Sequence, residues 1–381
     1  MNYISIGNGF KKTAAFIVSG LTIALASPAS YADDTDTYVN AQMSKLHIPG
    51  MAVAVLRDGK VIKETSYGVA SVEFNVPVSV DTPFVLASMT KLFTASSIML
   101  LVQDGKISLD DSITKFLPEL PAKWSNVTIR HCLSHTSGLP DALTDDINAT
   151  VKTGDRDELF KLLEKETAKP IGVAVAYNQT GYTILGMIIE KVSGQSYQQF
   201  VQQRLFDPAD LKHASFGDSW KIIPGRSSLY TSLNITADHS KLAVNAGKPV
   251  MLENQILHYG SKYMPDYMIP AGLSNASLHD LVNWEKAMAN GSIVTKNSLQ
   301  IMATPFKLSD GNDGNFGLSF LTMKLGSLNT VNYGGGAATW RVSVPEKHIT
   351  VIVLTNLQGC KPENLAITIA ALYEPEIAAN L

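Results

Sequence analysis

Segments with strand periodicity lie at the two ends of this 381-residue chain, and helical segments fill the middle. Residues 51–56 are a continuous apolar run, Asp58-Gly59 marks a turn, and residues 61–67 alternate between apolar and polar. This pattern predicts a hairpin whose first strand is buried on both faces. Further strands are predicted at residues 316–324, 339–344 and 348–356. Strands at both ends favour a single sheet built from both termini.

The middle of the chain has helical periodicity instead. Apolar residues recur at helical spacing in residues 86–103, 156–165, 182–192, 197–205 and 278–290. A last helix, with Leu365, Ile369 and Leu372 on one face, ends the chain. We therefore predict an α/β fold in which an antiparallel sheet is flanked by helices and a mainly helical lobe is inserted. Residues 33–80 and 270–381 would form the α/β lobe and residues 81–269 the helical lobe, with the active site at the seam.

Residues 217–270 have weak periodicity and contain several tyrosines. Two interpretations remain open for this segment. It forms long surface loops that wall a pocket, or it is an ordinary irregular connection.

The N-terminus has the pattern of a secretory signal peptide. Lys11 and Lys12 precede an apolar run of 14 residues, and "SPASYADD" then offers small residues for cleavage after Ala32. The alternative, a membrane anchor, requires about 20 apolar residues. We predict that residues 1–32 are removed, that no stable membrane anchor remains, and that the protein is periplasmic or secreted.

Charge and cysteine content narrow the class of partner. Without residues 1–32 the chain has 29 basic and 34 acidic residues, a net charge near −5, and no basic stripe. Nucleic acid is therefore not an expected partner. Cys132 and Cys360 are the only cysteines. In an exported protein they could pair, but they could equally be small buried residues.

Ser88 and Lys91 lie three residues apart at the start of a predicted helix, so their side chains share one face. A serine hydroxyl needs an adjacent base to become a nucleophile. Lysine serves as that base only when burial or a nearby cation lowers its pKa. Ser112 and Lys115 have the same spacing, but Asp110 and Asp111 place them in a polar loop where the lysine would stay charged.

Other catalytic arrangements fit the sequence less well. No Gly-x-Ser-x-Gly nucleophile elbow occurs. His131 and His135 are four apart, as in half a zinc site, but the glutamate of His-Glu-x-x-His is missing. The "YGGG" beginning at Tyr333 lacks the Lys-Ser/Thr of a phosphate-binding loop and leads into a strand. No metal or cofactor is implied.

Several stretches together resemble the serine β-lactamase and penicillin-binding-protein superfamily, on the branch of class C β-lactamases and their esterase and D-amino-acid peptidase relatives. They occur in the family's order over nearly the whole mature chain. The matching stretches are "LASMTKLFTASSIMLLVQDGKISLDDSITKFLPELP", "VTIRHCLSHTSGLPD", "YNQTGYTILGMIIEKVSGQSYQQFVQQRLFDPADL", "AGLSNASLHDLVNWEKAMANG" and "YGGGAATWRVSVPEKHITVIVLTN". The resemblance implies a β-lactamase/transpeptidase-like fold.

The resemblance also implies roles for particular residues. Ser88 would be the nucleophile, Lys91 its base partner, and Tyr177 the tyrosine of the Tyr-x-Asn motif that passes a proton to the leaving group. From the residues alone, Tyr182 would be as good a candidate as Tyr177. The backbone N–H groups of Ser88 and Gly336 would stabilise the oxyanion.

Two positions depart from the family pattern. Tyr-x-Asn reads Tyr177-Asn178-Gln179, and the Lys-Thr-Gly motif reads Tyr333-Gly334-Gly335. Gln179 can still present an amide to substrate, but Tyr333 supplies no fixed positive charge for a substrate carboxylate. Gly335 leaves room for substrate at the strand edge.

The sequence therefore predicts an exported serine hydrolase that cleaves esters or amides through an acyl-enzyme. Small esters are the first expected substrates, followed by D-amino-acid peptides and β-lactams, as cleaved by a β-lactamase, a D-Ala-D-Ala carboxypeptidase or a D-aminopeptidase. The alternative is a non-catalytic penicillin-binding-like protein on a degenerate site, which the changes at Gln179 and Tyr333 motivate. Oligomeric state is left open.

Overall fold

The computed structural model describes residues 28–143, 156–166, 168–218, 220–234, 244–245, 248–252, 255–259, 264–336 and 338–381. Its α-helices are α1 Pro28–Leu46, α2 Lys91–Gln103, α3 Ile113–Phe116, α4 Ile129–Leu133, α5 Arg156–Lys165, α6 Thr180–Ser193, α7 Tyr197–Val201, α8 Ile269–Gly272, α9 Leu278–Asn290, α10 Lys296–Ala303, α11 Pro362–Tyr373 and α12 Pro375–Ala378. A π-helical turn, Gln202–Phe206, extends α7.

The strands fall into one large sheet and several short pairings. The longer strands are β1 Gly50–Arg57, β2 Lys60–Ser71, β4 Phe84–Ala87, β10 Ser274–Ala276, β11 Leu321–Leu325, β12 Leu328–Gly335, β13 Thr339–Val344 and β14 Ile349–Thr355. The two-residue strands are β3 Val76–Pro77, β5 Ser215–Phe216, β6 Tyr230–Thr231, β7 Val244–Asn245, β8 Lys248–Pro249, β9 Leu257–His258 and β15 Leu357–Gln358.

The large sheet joins the two ends of the chain. Its seven strands run in the order β11-β12-β13-β14-β1-β2-β3. Strand β1 pairs antiparallel with β14, placing Val53 opposite Val353, and pairs with β2 on its other edge. The predicted fold class, an antiparallel sheet built from both termini and flanked by helices, is confirmed. The lobe boundaries stay a prediction.

Strand β1 is buried on both faces, as its continuous apolar sequence predicts. Ala52, Ala54 and Leu56 face the core that contains α2 and α9. Met51 and Val53 face a second core, formed with α1 and α11. The sheet is therefore the middle layer of the fold, with helices packed on each side.

The predicted helix at residues 86–103 begins too early. Residues Phe84–Ala87 form β4, which pairs with β10, and a 3-10 turn at Ser88–Thr90 then leads into α2. Strand β12 is absent from the sequence-based prediction, and the strand predicted at residues 316–324 is confined to β11. In each case the pairing partner decides the conformation, and local periodicity does not report such a partner.

Helix α2 is the central helix of the fold. All of its residues from Lys91 to Leu101 are buried. Thr94 on this helix is satisfied internally, since its Oγ1 donates to Pro270 O at 2.7 Å and lies 2.7 Å from Tyr197 Oη. A lysine on this helix is thus held in the core of the molecule.

The two cysteines do not form a disulfide. Cys132 lies on α4 against Gly181, and Cys360 Sγ is 3.2 Å from the Thr355 hydroxyl. Both behave as small buried residues, one of the two alternatives left open above.

Among the described residues, none of the helices is both long enough and apolar enough to span a bilayer. The predicted signal peptide falls largely on residues 1–27, outside the described part of the chain, and stays a prediction.

Candidate active site

Ser88 is the first residue after β4, where the chain turns sharply into α2. Ala87 has φ +46° and ψ −127°, an unfavourable conformation for a residue with a side chain. Thr90 fastens this turn, because its hydroxyl donates to Ala87 O at 2.6 Å and accepts the N–H of Ser274 at 2.9 Å. Strain of this kind persists only where the surroundings hold it, and it is common at active sites.

Lys91 is fully buried directly behind Ser88. Its Nζ is 3.4 Å from Ser88 Oγ, donates to Gln179 Oε1 at 2.6 Å, and donates to Ala271 O. Burial lowers the pKa of Lys91 to about 7, against the opposing charge of Asp141. A large fraction of this amine is therefore neutral near pH 7 and can accept the serine proton.

Tyr177 completes the predicted catalytic group. Its ring centroid is 4.9 Å from Lys91 Nζ. The residue is 43% exposed at the cavity wall, yet desolvation of the phenol raises its pKa to about 12, with hydrogen bonding to Ser88 opposing the rise only in part. Tyr177 therefore rests as a neutral phenol that can donate a proton. Tyr182, the alternative candidate, is fully buried and donates to Leu133 O at 2.9 Å.

His135 packs beneath Tyr177, with ring centroids 4.2 Å apart. Burial, with Lys91 nearby, holds the pKa of His135 well below its usual value, so the imidazole is neutral. Its Nδ1 accepts the Asn178 N–H at 3.4 Å. His131 serves instead as a cap of α4, with Nδ1 2.9 Å from Thr128 Oγ1. Capping accounts for the position of His131, whereas the His135 ring is packed among aromatic side chains and its buried Nε2 has no hydrogen-bond partner among the described residues.

The glycine run lies against the turn that precedes Ser88. A Cβ at Gly335 would stand 1.9 Å from Leu86 O, and Gly336 has φ +56° with its hypothetical Cβ 3.2 Å from Ala87 Cβ. Both positions require glycine, one for close approach and the other for its backbone conformation. This arrangement brings Ser88 and Gly336, whose N–H groups are the predicted oxyanion donors, into the lining of one cavity.

That cavity has a volume of about 660 Å³, and we refer to it as the catalytic cavity. Ser88, Tyr177 and Gly336 line it at one end. Its apolar wall consists of Phe316, Leu321, Met323, Leu325, Trp340 and Ile367, and its charged lining residues are Lys324 and Glu363. Most of the cavity wall is therefore apolar, and its two charged residues have opposite signs.

Tyr333 contributes to the wall of this cavity but is only 3% exposed. Burial raises the pKa of its phenol well above the usual value, so it is neutral. Arg341 lies opposite Tyr333 on β13. Its guanidinium donates two hydrogen bonds, of 3.0 and 2.8 Å, to the Glu285 carboxylate. Neither residue offers a cation to a substrate carboxylate.

Gln179 makes a contact that its motif position does not predict. The sequence predicts that its amide faces substrate. In the structure its Oε1 accepts from Lys91, and the residue is not among those lining the catalytic cavity. Gln179 thus contacts the base and helps to orient it.

Asp141 is a functional residue that the sequence-based prediction missed. Its Oδ1 accepts the Gln179 N–H at 3.0 Å. The same loop is joined to Thr180, whose hydroxyl donates to Pro140 O at 2.6 Å and accepts the Ala142 N–H at 2.9 Å. These bonds fasten the turn after Tyr177. The sequence signal for Asp141 was its place at the polar end of "SHTSGLPD". The residues that Asp141 and its loop contact, Gln179 and Thr180, lie about 40 residues further along the chain.

Asp141→Asn should shift the acid limb of the pH–kcat/KM profile to lower pH by roughly half a unit or more. The carboxylate raises the pKa of Lys91, which must be neutral to act as a base, so removing the charge lowers the pH at which activity appears. Asparagine keeps an oxygen to accept the Gln179 N–H. Asp111→Asn, which alters an exposed ion pair with Lys115, is the matched control. An acid limb unchanged from wild type would contradict the role of Asp141.

Comparison with known proteins gives consistent results. A family model described as Beta-lactamase matches residues 35–373. Protein flp of Staphylococcus aureus (strain MW2) is 31% identical over 186 residues, 48% of this chain and 37% of that protein. The chain thus spans well under half the length of that relative. Penicillin-binding protein 4* of Bacillus subtilis (strain 168) is 27% identical over 329 residues, covering 84% of this chain and 70% of its own.

Solved structures share the fold at low sequence identity. EstCE1, a hydrolase with promiscuous acyltransferase activity, has a TM-score of 0.72 at 19% identity and covers 91% of this chain and 99% of its own. The D-amino acid amidase from Ochrobactrum anthropi SV3 has a TM-score of 0.71 at 24% identity, with 91% and 98% covered. At identities of 19% and 24%, this similarity shows a shared fold and nothing more.

Proposed function

The chain belongs to the beta-lactamase family of serine hydrolases, and on that premise we propose that it hydrolyses ester or amide bonds through an acyl-enzyme on Ser88. One observation carries the proposal. Lys91 is fully buried, lies 3.4 Å from Ser88 Oγ and has a pKa of about 7. A structural lysine in a core is normally held charged by a carboxylate partner, whereas this one is bonded to a carbonyl and an amide oxygen.

The proposed reaction has two steps. Ser88 Oγ transfers its proton towards Lys91 and attacks the carbonyl carbon, while the Ser88 and Gly336 N–H groups bind the developing oxyanion. Tyr177 protonates the leaving group, which departs and leaves an ester on Ser88. Lys91 then returns its proton to the Tyr177 phenolate. In the second step, water gives a proton to the Lys91–Tyr177 pair and attacks that ester, and the pair passes this proton to Ser88 Oγ as the bond to the acyl carbon breaks and the acid departs.

Uncharged esters are the proposed first substrates. The walls of the catalytic cavity are largely apolar, its charged lining residues Lys324 and Glu363 have opposite signs, and neither Tyr333 nor Arg341 offers a cation to a carboxylate. Esters also have a better leaving group than amides. D-amino-acid amides or peptides and β-lactams come second, and the fold shared with a D-amino acid amidase keeps the former in consideration.

A non-catalytic penicillin-binding-like protein is the second candidate. The presence of Tyr333 and Gln179 at two motif positions favours it. The intact Ser88, Lys91 and Tyr177 arrangement argues against it, since a decayed site has no need of a buried amine beside a serine.

Parallel assays test this proposal. We expect p-nitrophenyl acetate to be hydrolysed by wild type, with little turnover of a chromogenic cephalosporin or of D-alanine p-nitroanilide. Faster cephalosporin than ester turnover would assign the protein to the lactamases, and faster anilide turnover would make it an amidase. A stable acyl adduct on Ser88 without turnover of any substrate would support the non-catalytic alternative.

A further inference from the structure

A large part of the catalytic cavity lies on one face of the seven-stranded sheet. Leu321 on β11 pairs with Asn332 on β12, and Met323 pairs with Thr330, so alternate residues of the two strands share this face. It is the face that packs against α1 and α11, because Leu328 belongs to that core. The cavity-lining residues on this face, which together we call the sheet groove, are Leu321, Met323, Leu325, Thr330, Asn332 and Gly334.

The polar side chains in the floor of the sheet groove are bonded within the protein. Asn332 Nδ2 donates to Thr330 Oγ1 at 2.7 Å and to Leu321 O at 3.3 Å. The Thr330 hydroxyl donates to Met323 O at 3.3 Å. Both residues are buried, whereas Met323 is 51% exposed. The surface that the groove offers to a ligand is therefore mainly apolar.

Trp340 lies across Gly334 and forms one side of the sheet groove. The two residues pair between β12 and β13, and a Cβ on Gly334 would stand 2.1 Å from Trp340 Cε3 and 2.4 Å from its Cζ3. The indole therefore occupies the volume that a side chain at position 334 would take. Ile367 on α11 lines the cavity as well and adds to this apolar wall.

The sheet groove and the nucleophile belong to one cavity. Ser88, Gly335 and Gly336 line it together with the groove residues. The stretch of β12 from Thr330 to Gly336 spans about 20 Å at roughly 3.3 Å per residue. A substituent of a carbonyl group bound at Ser88 can thus extend into the groove without leaving the cavity.

We propose that the sheet groove binds an unbranched apolar chain of the substrate, so that the preferred substrates are esters with one medium or long alkyl chain. This proposal rests on the proposed esterase function and names its substrate class. The chain can belong to the acyl group or to the alcohol, since both are substituents of the carbonyl carbon that Ser88 attacks. Each methylene that reaches the apolar floor should raise kcat/KM by up to about fourfold.

Two ester series test the proposal and show which side of the ester bears the chain. Ethyl, hexyl and decyl acetate lengthen the alcohol, whereas ethyl acetate, hexanoate and decanoate lengthen the acyl group. We would measure kcat/KM by proton release, at concentrations below the solubility limit of each ester. In wild type we expect at least one series to rise by about tenfold or more from its shortest to its longest member. Values that stay flat or fall in both series overturn the proposal.

Met323→Asp should weaken the chain-length preference, because it places a carboxylate on the groove floor, where an alkyl chain would desolvate it. Met323 is half exposed, so the fold should be retained. The ratio of kcat/KM for the longest ester to that for ethyl acetate should fall by about tenfold or more. Met323→Leu keeps an apolar side chain and should keep most of the wild-type ratio.

Ile62→Asp is the matched control for the introduced charge. Ile62 is 46% exposed on β2 of the same sheet and does not line the catalytic cavity. The Ile62→Asp protein should keep the wild-type ratio. A folded Met323→Asp protein with the wild-type ratio would contradict the proposal, and so would an equal fall in the Ile62→Asp protein.

A binding measurement separates this proposal from the esterase proposal. In the Ser88→Ala protein, decyl acetate or ethyl decanoate should change tryptophan fluorescence saturably, and ethyl acetate should not. Adding Trp340→Phe should remove most of that change, because Trp340 lines the catalytic cavity. If wild type does not hydrolyse p-nitrophenyl acetate, the proposed function fails. If neither long ester binds, or if the fluorescence change persists without Trp340, the groove proposal fails by itself.

Discussion

Replacing Ser88 by alanine should lower kcat/KM for p-nitrophenyl acetate by about 10⁴-fold or more. The change removes the atom that forms the acyl-enzyme and leaves Lys91 and the glycine run in place. Alanine at this position loses only a hydroxyl at the cavity wall, so the fold should be retained. The measurement is steady-state hydrolysis with far-UV circular dichroism, together with intact-protein mass spectrometry after mixing with an activated ester.

Ser112→Ala is the matched control, because Ser112 and Lys115 repeat the Ser-x-x-Lys spacing. The Ser112 hydroxyl caps α3, accepting the Thr114 N–H at 3.2 Å and donating to Ser125 O at 2.6 Å. Its loss should cost about 1 kcal/mol of stability and leave the activity unchanged. The assignment of Ser88 would be wrong if Ser88→Ala kept more than a tenth of wild-type activity, or if Ser112→Ala lost as much.

Replacing Lys91 by methionine should lower kcat/KM by about 10³-fold. Methionine has a similar length and suits a fully buried site, but it cannot accept the proton of Ser88. Wild type should show an acid limb with an apparent pKa of about 7, because protonation of Lys91 below that pH removes the base. In Lys91→Met the residual activity should lack this limb. The pH profile thus separates loss of the base from general damage.

Lys115→Met is the control for charge and side-chain type. Lys115 is exposed and forms an i,i+4 ion pair with Asp111 at 2.7 Å, a contact that contributes little to stability. The Lys115→Met protein should keep wild-type activity and the acid limb of the wild-type pH profile. A folded Lys91→Met protein with wild-type turnover would exclude Lys91 as the base.

Lys91 and Lys115 show that the spacing of a Ser-x-x-Lys motif does not by itself decide whether its lysine can act as a base. Ser88–Lys91 and Ser112–Lys115 have the same spacing, and flanking polarity distinguishes them in the sequence. The structure shows that the two lysines differ in solvation: Lys91 is fully buried, whereas 57% of the Lys115 side chain is exposed. Burial lowers the pKa of Lys91 to about 7, the range in which an amine is useful as a base at neutral pH.

The errors in the prediction have a common physical origin. The predicted helix began at residue 86, but residues 86 and 87 belong to β4, which pairs with β10 about 190 residues further along the chain. The contact between the Gln179 side-chain oxygen and Lys91, 88 residues apart, was likewise not predicted. Asp141 was not predicted because its partners lie about 40 residues further along the chain. Each is decided by a contact between distant segments.

The sequence by itself determined the fold class, because hydrophobic periodicity is a local property that separates strands at both ends from helices in the middle. It also determined the Ser88–Lys91 spacing, which the regular geometry of a helix converts into proximity. Only the tertiary structure decided the protonation state of Lys91, the setting of Gln179 and Asp141, and the cavity at Ser88. Those properties depend on desolvation and on pairing between distant segments, and these exist only once the chain has folded.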